Sequence, residues 1–316
     1  MKKYLLKQAL NKGYAIGAFN FASLEVLKAI ISAAQAQKSP VIAQISESAM
    51  NFIGDDYLKG IIETTRKKCS VPVSFHLDHG KSLEVVKRAI AIGCDSVMID
   101  ASMLPYEDNV KITKKVVSYA HKHNVFVEAE LGSLAGIEDD IKVKEENSFY
   151  TSPSQAKDFV QRTGVDSLAI AIGTKHGAYK YNGESKLRFD ILRKIEKELP
   201  NTPLVLHGGS GVDKDDVDAL FNLGVDIRGA KGVSDAILKK ISKTNICKIN
   251  GDTDLRISYL LGIEACIQAN KSNIDYRKYL SNGMSEVARR VASKMEIYGC
   301  KGKAAKNNCK KTAKAK

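Results

Sequence analysis

The chain has 316 residues, 44% of them hydrophobic, which suits either two average domains or one α/β barrel with a sizeable core. The net charge is +13, but residues 301–316 hold seven Lys and no acidic residue, so much of the excess lies in one tail. The sequence has no nucleic-acid-binding signature and no apolar run long enough to span a membrane, so neither partner is expected. The six Cys form no CxxC pair, and the first residues lack the apolar core of a signal peptide; both features favour a cytoplasmic protein with reduced thiols.

Short apolar strands alternate with amphipathic helices along the chain. Eight strands are predicted, at residues 15–20, 41–46, 71–80, 96–100, 125–130, 167–173, 204–208 and 246–250. Helical segments follow them, among them 55–68, 83–92, 106–123 and a final helix near 284–298. The alternation breaks at residues 131–153, where many acids and little periodicity predict a long loop of the kind that usually serves function.

Eight strand–helix units predict an α/β fold of the (β/α)8 TIM-barrel type with an extra C-terminal helix. A doubly wound sheet is disfavoured because residues 17–20 do not supply a Gly-rich fingerprint after the first strand. We expect a barrel domain at 1–298 with a mobile active-site loop at 131–153. The basic tail at 299–316 is expected to be disordered.

Metal-binding and titratable side chains gather at the carboxyl ends of the predicted strands, where barrels place their chemistry. They are Asp78, His79, Glu128, Glu130, His176 and His207. One buried His is usually a core residue, but three imidazoles from neighbouring strands are typical of an open zinc site. The pattern therefore predicts a metal bound by His79, His176 and His207, with His76 outside the coordination sphere.

The turns after the seventh and eighth strands form a second group. Gly208-Gly209-Ser210-Gly211 lets the backbone approach an anion closely, and residues 250–254 open a helix in which Thr253 can bond phosphate or cap. Barrel enzymes frequently bind phosphate at these turns, although ordinary turns with helix caps are the alternative. Lys180 and Arg256 are candidates for a second phosphate.

Five segments, taken together, resemble the class II fructose-bisphosphate aldolases in order and spacing. They are residues 76–80 (HLDHG), 127–132 (VEAELG), 173–180 (GTKHGAYK), 207–211 (HGGSG) and 252–256 (DTDLR). The resemblance spans about residues 4–298 and is greatest for the shorter bacterial type. Residues 229–233 resemble a subset of that type that acts on fructose bisphosphate. This segment favours fructose 1,6-bisphosphate as the substrate, with tagatose 1,6-bisphosphate as the alternative.

The resemblance implies an aldolase of glycolysis and gluconeogenesis that cleaves fructose 1,6-bisphosphate into dihydroxyacetone phosphate and glyceraldehyde 3-phosphate. It implies Zn²⁺ on His79, His176 and His207, with Glu130 near an alternative metal position. Asp78 matches the group that handles the C4 hydroxyl proton. Glu138, in the long loop, matches the acid that exchanges the C3 proton of dihydroxyacetone phosphate.

The resemblance also implies how the two phosphates are bound. The triose-phosphate contacts would be Gly177, Gly208, Ser210, Asn250, Asp252 and Thr253. The far phosphate would lie near Lys180 and Arg256. The family further uses a monovalent cation, Na⁺ or K⁺, beside the phosphate and forms homodimers or homotetramers.

Three residues depart from the family pattern without removing a catalytic group. Ser48 replaces a frequent Gly, Gly251 replaces a bulkier residue and is expected to loosen its turn, and Lys175 faces either the site or solvent. Other interpretations remain open: an aldolase that forms a Schiff base on Lys175 or Lys248, a metal-dependent hydrolase, or a non-catalytic binding protein. A Schiff base would leave the three His unexplained.

Overall fold

A computed structural model describes residues 5–133, 136–138, 141–143, 149–175, 177 and 187–304, with backbone alone at 136–138 and 141–143. The strands in this part are β1 (Ile16–Asn20), β2 (Val41–Ile45), β3 (Val73–Gly80), β4 (Ser96–Ile99), β5 (Phe126–Leu131), β6 (Gly136–Glu138), β7 (Ile141–Val143), β8 (Ser167–Ile170), β9 (Leu204–Leu206) and β10 (Ile246–Gly251). Eight of them close a parallel barrel in the order β1-β10-β9-β8-β5-β4-β3-β2. The predicted TIM-barrel fold is confirmed.

Helices cover the barrel between its strands. They are α1 (Leu5–Lys12), α2 (Leu24–Ala36), α3 (Glu47–Ile53), α4 (Asp55–Lys68), α5 (Leu83–Ile92), α6 (Tyr106–Lys122), α7 (Pro153–Thr163), α8 (Phe189–Glu198), α9 (Lys214–Asn222), α10 (Asp235–Ile241), α11 (Thr253–Ala269) and α12 (Tyr276–Ile297). Serine caps begin several of them: Ser23 Oγ accepts from Val26 N and Ser82 Oγ from Val85 N, both at 3.3 Å. Among the described helices, none has the length and apolarity needed to cross a membrane.

Several predicted boundaries differ from the structure for local reasons. β8 stops at Ile170 and β9 at Leu206, short of the predicted 173 and 208, and Gly173 (φ +107°) and Gly208 (φ +62°) turn the backbone where those strands were expected to end. The segment predicted as an irregular loop contains the antiparallel pair β6–β7, whose three-residue strands are too short to show alternation. α12 begins at Tyr276 rather than near 284.

The chain stays packed on the barrel beyond the domain end expected at 298. Cys300 is buried, and the amides of Gly302 and Ala304 donate to the carbonyls of Gln37 and Lys38 at 2.9 Å each. Residues 299–304 therefore continue the barrel domain, whereas 305–316 lie outside the described residues. The described cysteines are free thiols, as expected.

Polar side chains fill part of the barrel interior, where such barrels usually hold branched apolar residues. Gln44, His76, Glu128 and Lys248 are each at most 2% exposed. They come from β2, β3, β5 and β10, and Gln44 lies opposite His76 in the β2–β3 ladder. Buried polar groups of this kind require hydrogen-bond partners, and several of these partners are residues of the candidate active site.

Candidate active site

A β-bulge at the end of β3 brings Asp78 and His79 to the same place. Leu77 pairs with Val97 and Gly80 with Ile99, so β3 carries one residue more than β4 between these pairs. His79 has a φ of +48°, an uncommon conformation for a residue with a side chain. Ligand atoms of Asp78, His79 and His207 lie within 4.8 Å of one another, so the structure brings these three predicted site residues together.

His79 and His207 face each other across this position. His79 Nε2 lies 3.0 Å from His207 Nδ1, while the outer nitrogens are taken by carboxylates: His79 Nδ1 is 2.8 Å from Asp100 Oδ2, and His207 Nε2 is 2.8 Å from Glu128 Oε1. Because a carboxylate only accepts, each outer nitrogen carries a proton and each inner nitrogen a lone pair. Two lone pairs at this distance require a proton or a cation between them. Carboxylate-held imidazoles of this kind are typical metal ligands.

Glu130 adds a further acceptor to the same place. Its carboxylate is 2% exposed, and among the described residues its Oε2 has no hydrogen-bond partner. Glu130, Asp100 and His79 place ligand atoms within 4.8 Å of one another. Burial and the negative charge of Asp100 raise the pKa of Glu130 well above its ordinary value. An unpartnered oxygen among acids and imidazoles fits a divalent metal ion, so the residues present suit the predicted metal.

The protonation of the imidazole pair agrees with this assignment. Burial alone would lower the pKa of His79, but Asp78 and Asp100 raise it to about 10. Burial and the charge of His79 hold the pKa of His207 well below its ordinary value. Between their inner nitrogens the two rings therefore share one further proton in the absence of a metal, at the position that a cation would take.

Three amide side chains hold the Asp78 carboxylate. Asn20 Nδ2 and Gln44 Nε2 donate to Oδ2 at 2.9 and 3.1 Å, and Asn250 Nδ2 donates to Oδ1 at 3.1 Å. Burial opposes ionisation, but the positive charges of His79 and Lys248 lower the pKa of Asp78. Asp78 is thus an oriented, ionised acceptor, the state needed for a general base.

The loops predicted to bind phosphate lie together at the same end of the barrel. Ser210 Oγ accepts from the amide of Asp252 at 3.1 Å, which joins the loops after β9 and β10. A Cβ on Gly208 would lie 2.5 Å from the carbonyl oxygen of Lys175, so this position requires glycine. Thr253 begins α11. Arg256 is 61% exposed, with its Nε 2.8 Å from Asp252 Oδ2.

The departures from the family pattern have different outcomes. Gly251 lies buried within β10 rather than in the turn after it, and it pairs with Phe19, whose ring lies 3.2 Å from where a Cβ would stand. Ser48 Oγ lies 3.0 Å from Ser46 Oγ at the start of α3. Lys175 is half-buried, and its carbonyl touches Gly208.

Some of the predicted site residues lie outside the described part of the chain, and some residues of the observed site were not predicted. His176 and Lys180 lie outside the described residues, Gly177 is described and half-buried, and Glu138 lies in β6 with no described side chain. The roles of Asp100 and of the amides around Asp78 were not predicted. Asp100 ends the predicted fourth strand next to the strand of His79, and that position was the available signal.

Fold and site together define a (β/α)8 barrel whose strand ends carry a candidate metal-binding site beside glycine-rich loops. Residues 1–303 match the family described as fructose-bisphosphate aldolase class-II. The fructose-bisphosphate aldolases of Helicobacter pylori (strain ATCC 700392 / 26695) and Thermus caldophilus are 41% and 43% identical over 300 residues, covering 95% of this chain and 97% and 98% of theirs. The crystal structure of the YdjI aldolase from Escherichia coli K12 is 32% identical with a TM-score of 0.77, covering 96% of this chain and 98% of that one.

The chain therefore belongs to the class-II fructose-bisphosphate aldolase family. It is an aldolase, a carbon–carbon lyase, and its substrate class is sugar bisphosphates.

Proposed function

We propose that this chain is a zinc-dependent aldolase that reversibly cleaves fructose 1,6-bisphosphate into dihydroxyacetone phosphate and glyceraldehyde 3-phosphate. The observation that carries the proposal is the His79–His207 pair, whose outer nitrogens are held by Asp100 and Glu128 while the inner ones face each other at 3.0 Å beside Asp78. The names of the relatives favour fructose bisphosphate, and tagatose 1,6-bisphosphate is the alternative substrate.

In this proposal the metal is held by His79 Nε2, by His207 Nδ1 and, from the family resemblance, by His176. Glu130, with its unpartnered oxygen, supplies the alternative position. When bound, Zn²⁺ supplies a Lewis acid that stabilises negative charge on the ketone oxygen of the substrate.

The proton transfers fall to two acids of the chain. Asp78 accepts the proton of the C4 hydroxyl as the C3–C4 bond breaks, and the aldehyde product leaves with its carbonyl formed. The electron pair of the broken bond remains on C3 and is delocalised into the adjoining ketone. Glu138, from the long segment between β5 and α7, then returns a proton to C3 and completes dihydroxyacetone phosphate.

The remaining residues bind and orient the substrate in this proposal. One phosphate lies at the carboxyl end of β10 and on the loops after β8, β9 and β10, at Gly177, Gly208, Ser210, Asn250, Asp252 and Thr253. Lys180 and Arg256 take the far phosphate, and a monovalent cation, Na⁺ or K⁺, lies beside the first. We further propose a homodimer or homotetramer that works in the cytoplasm in glycolysis and gluconeogenesis.

The environment of Lys248 disfavours a Schiff-base mechanism at that residue. Its Nζ lies 3.0 and 2.9 Å from the two carboxylate oxygens of Glu128 and 3.1 Å from Nε2 of His76. Three acceptors for three N–H groups leave no lone pair for attack on a ketone.

A coupled cleavage assay tests the proposal. Fructose and tagatose 1,6-bisphosphates are compared with the protein as purified, after chelation, and after Zn²⁺ is restored. We expect fructose bisphosphate cleavage that is lost on chelation and regained with zinc. Cleavage that survives complete metal removal would refute the metal mechanism, and preference for the tagatose sugar would correct the substrate.

A further inference from the structure

Lys248 is a buried cation that the proposed mechanism does not use. It lies on β10, its side chain is 1% exposed, and it is deep in the barrel interior. Its ammonium group donates hydrogen bonds to both carboxylate oxygens of Glu128 and to Nε2 of His76. Burying a lysine in a barrel core is costly unless every N–H has a partner, so its presence calls for an explanation.

The Glu128 carboxylate joins Lys248 to the metal site. Glu128 Oε1, which accepts from Lys248, also lies 2.8 Å from His207 Nε2. The lysine thereby fixes the rotation of the carboxylate and aims Oε1 at the outer nitrogen of His207. That hydrogen bond in turn places the His207 proton on Nε2 and leaves the lone pair on Nδ1, toward His79.

The lysine is itself held from the opposite side. His76 Nδ1 lies 2.8 Å from Ser96 Oγ, which orients the ring so that Nε2 accepts from Lys248. Burial and the charge of Lys248 keep the pKa of His76 well below its ordinary value, in agreement with a neutral, accepting ring. Ser96, His76, Lys248, Glu128 and His207 therefore form one continuous chain of contacts from the amino end of β4 to the metal site.

We propose that Lys248 is a positioning residue of the metal site: it sets the orientation of Glu128, and through Glu128 the tautomer and ring orientation of His207. The inference rests on the proposed metal function and adds a residue to it that touches neither metal nor substrate. Removing the ammonium group leaves the carboxylate with one of its three hydrogen bonds, so His207 loses its fixed acceptor.

The chain offers a conservative variant and a matched control. A cavity of about 400 Å³ borders Lys248, His76 and Glu128, which gives the larger guanidinium of Lys248→Arg room to grip the same carboxylate. Lys294 is also fully buried and holds a carboxylate, with its Nζ 2.6 Å from Asp235 Oδ1, but it has no described contact with the histidines. Its Nζ lies next to Gly211, so Lys294→Met reproduces the loss of a buried lysine near the same loop while leaving the contacts of Glu128 and His76 in place.

The experiment measures Zn²⁺ affinity by chelator competition and the visible absorption of the Co²⁺-loaded protein, using the full chain. For Lys248→Met we expect roughly 10- to 100-fold weaker zinc binding and an altered cobalt spectrum. Lys248→Arg should restore most of the affinity and the spectrum. Lys294→Met should lower stability but change neither readout.

A milder variant tests the proposal if Lys248→Met does not fold. Ser96→Ala frees the ring of His76 at the far end of the chain of contacts, and we expect roughly two- to tenfold weaker zinc binding. Wild-type affinity and cobalt spectrum in both Lys248→Met and Ser96→Ala would overturn the proposal, as would equal losses in Lys294→Met. A wild-type protein that binds no zinc would instead refute the proposed function, so the two failures are distinguishable.

Discussion

Replacing Asp100 by Asn tests the geometry of the metal site while keeping the shape of the side chain. Asp100 Oδ2 accepts from His79 Nδ1 at 2.8 Å, while Oδ1 accepts from Ser102 N at 3.1 Å and Ser102 Oγ at 2.8 Å. In Asp100→Asn the two Ser102 donors retain the carbonyl oxygen, and the new NH₂ group faces His79. His79 must then accept at Nδ1 and carry its proton on Nε2, the nitrogen that faces His207.

The magnitude follows from what metal binding would require of the variant. To free Nε2 of His79, the amide introduced by Asp100→Asn must reverse and give up its two hydrogen bonds from Ser102. At about 0.5–1.5 kcal/mol for each, this costs about 1–3 kcal/mol, roughly a 5- to 150-fold loss of affinity. Changes to the carboxylates behind metal-bound histidines fall in a similar range, about 10- to 100-fold.

Chelator competition near neutral pH measures the effect, with Asp95→Asn as the control. Asp95 lies at the opposite end of β4, where it binds Arg66 Nη2 at 2.7 Å and the amide of Phe75 at 2.9 Å. Asp95→Asn should lower thermal stability and leave zinc affinity unchanged. Zinc affinity in Asp100→Asn within twofold of wild type would refute the tautomer argument, and an equal loss in Asp95→Asn would show a general effect of folding.

Three further outcomes follow from the site. Asp78→Asn should lower fructose bisphosphate turnover by about 10²- to 10⁴-fold while zinc stays bound, because the C4 hydroxyl loses its base; more than a tenth of wild-type turnover would contradict this. Gly208→Ala should raise the KM for fructose bisphosphate at least about tenfold, because its Cβ would collide with the backbone of Lys175. Gly224→Ala is the control: Gly224 has a φ of +93°, but no atom lies within 4 Å of where its Cβ would be. This substitution should cost only about 1–2 kcal/mol of stability. The pKa of His79 is raised to about 10, so zinc binding at neutral pH should release a proton. Zinc affinity should therefore increase by about tenfold for each pH unit up to that pKa. Calorimetry in buffers of different ionisation enthalpy measures the released proton, and finding none would disprove this prediction.

The barrel was predictable because its strands carry an unambiguous signal. Each is short, mostly buried and rich in apolar or β-branched residues, and amphipathic helices separate the strands. The β6–β7 pair could not be predicted, since three-residue strands show no periodicity. The start of α12 at Tyr276 was missed because its first turns, YRKYLSNG, contain few apolar residues and end in poor helix formers.

The sequence could point to candidate site residues where polar side chains lie in the last positions of a strand, as for Asp78, His79 and Glu130, or directly after it, as for His207. The bulge that turns His79 inward depends on the register between β3 and β4, which one strand cannot reveal. The contact between Lys248 and Glu128 joins residues 120 positions apart, and only the closed barrel brings them together. Asp100 is intermediate, since its place at a strand end was visible but its partner was not.

Glu128 and Glu130 show how the barrel assigns different roles to identical side chains. They are two positions apart on β5 and equally buried, so the sequence VEAEL treats them alike. Glu128 is held by Lys248 and binds His207, which leaves it an orienting role. Among the described residues Glu130 has no lysine or arginine within hydrogen-bond distance. Its Oε2 has no hydrogen-bond partner there and lies 3.5 Å from His207 Nδ1, which places it beside the nitrogen assigned to the metal ion. Their neighbours on β10 and just after β4 and β9, rather than the residues themselves, decide which carboxylate orients a ligand and which one can become a ligand.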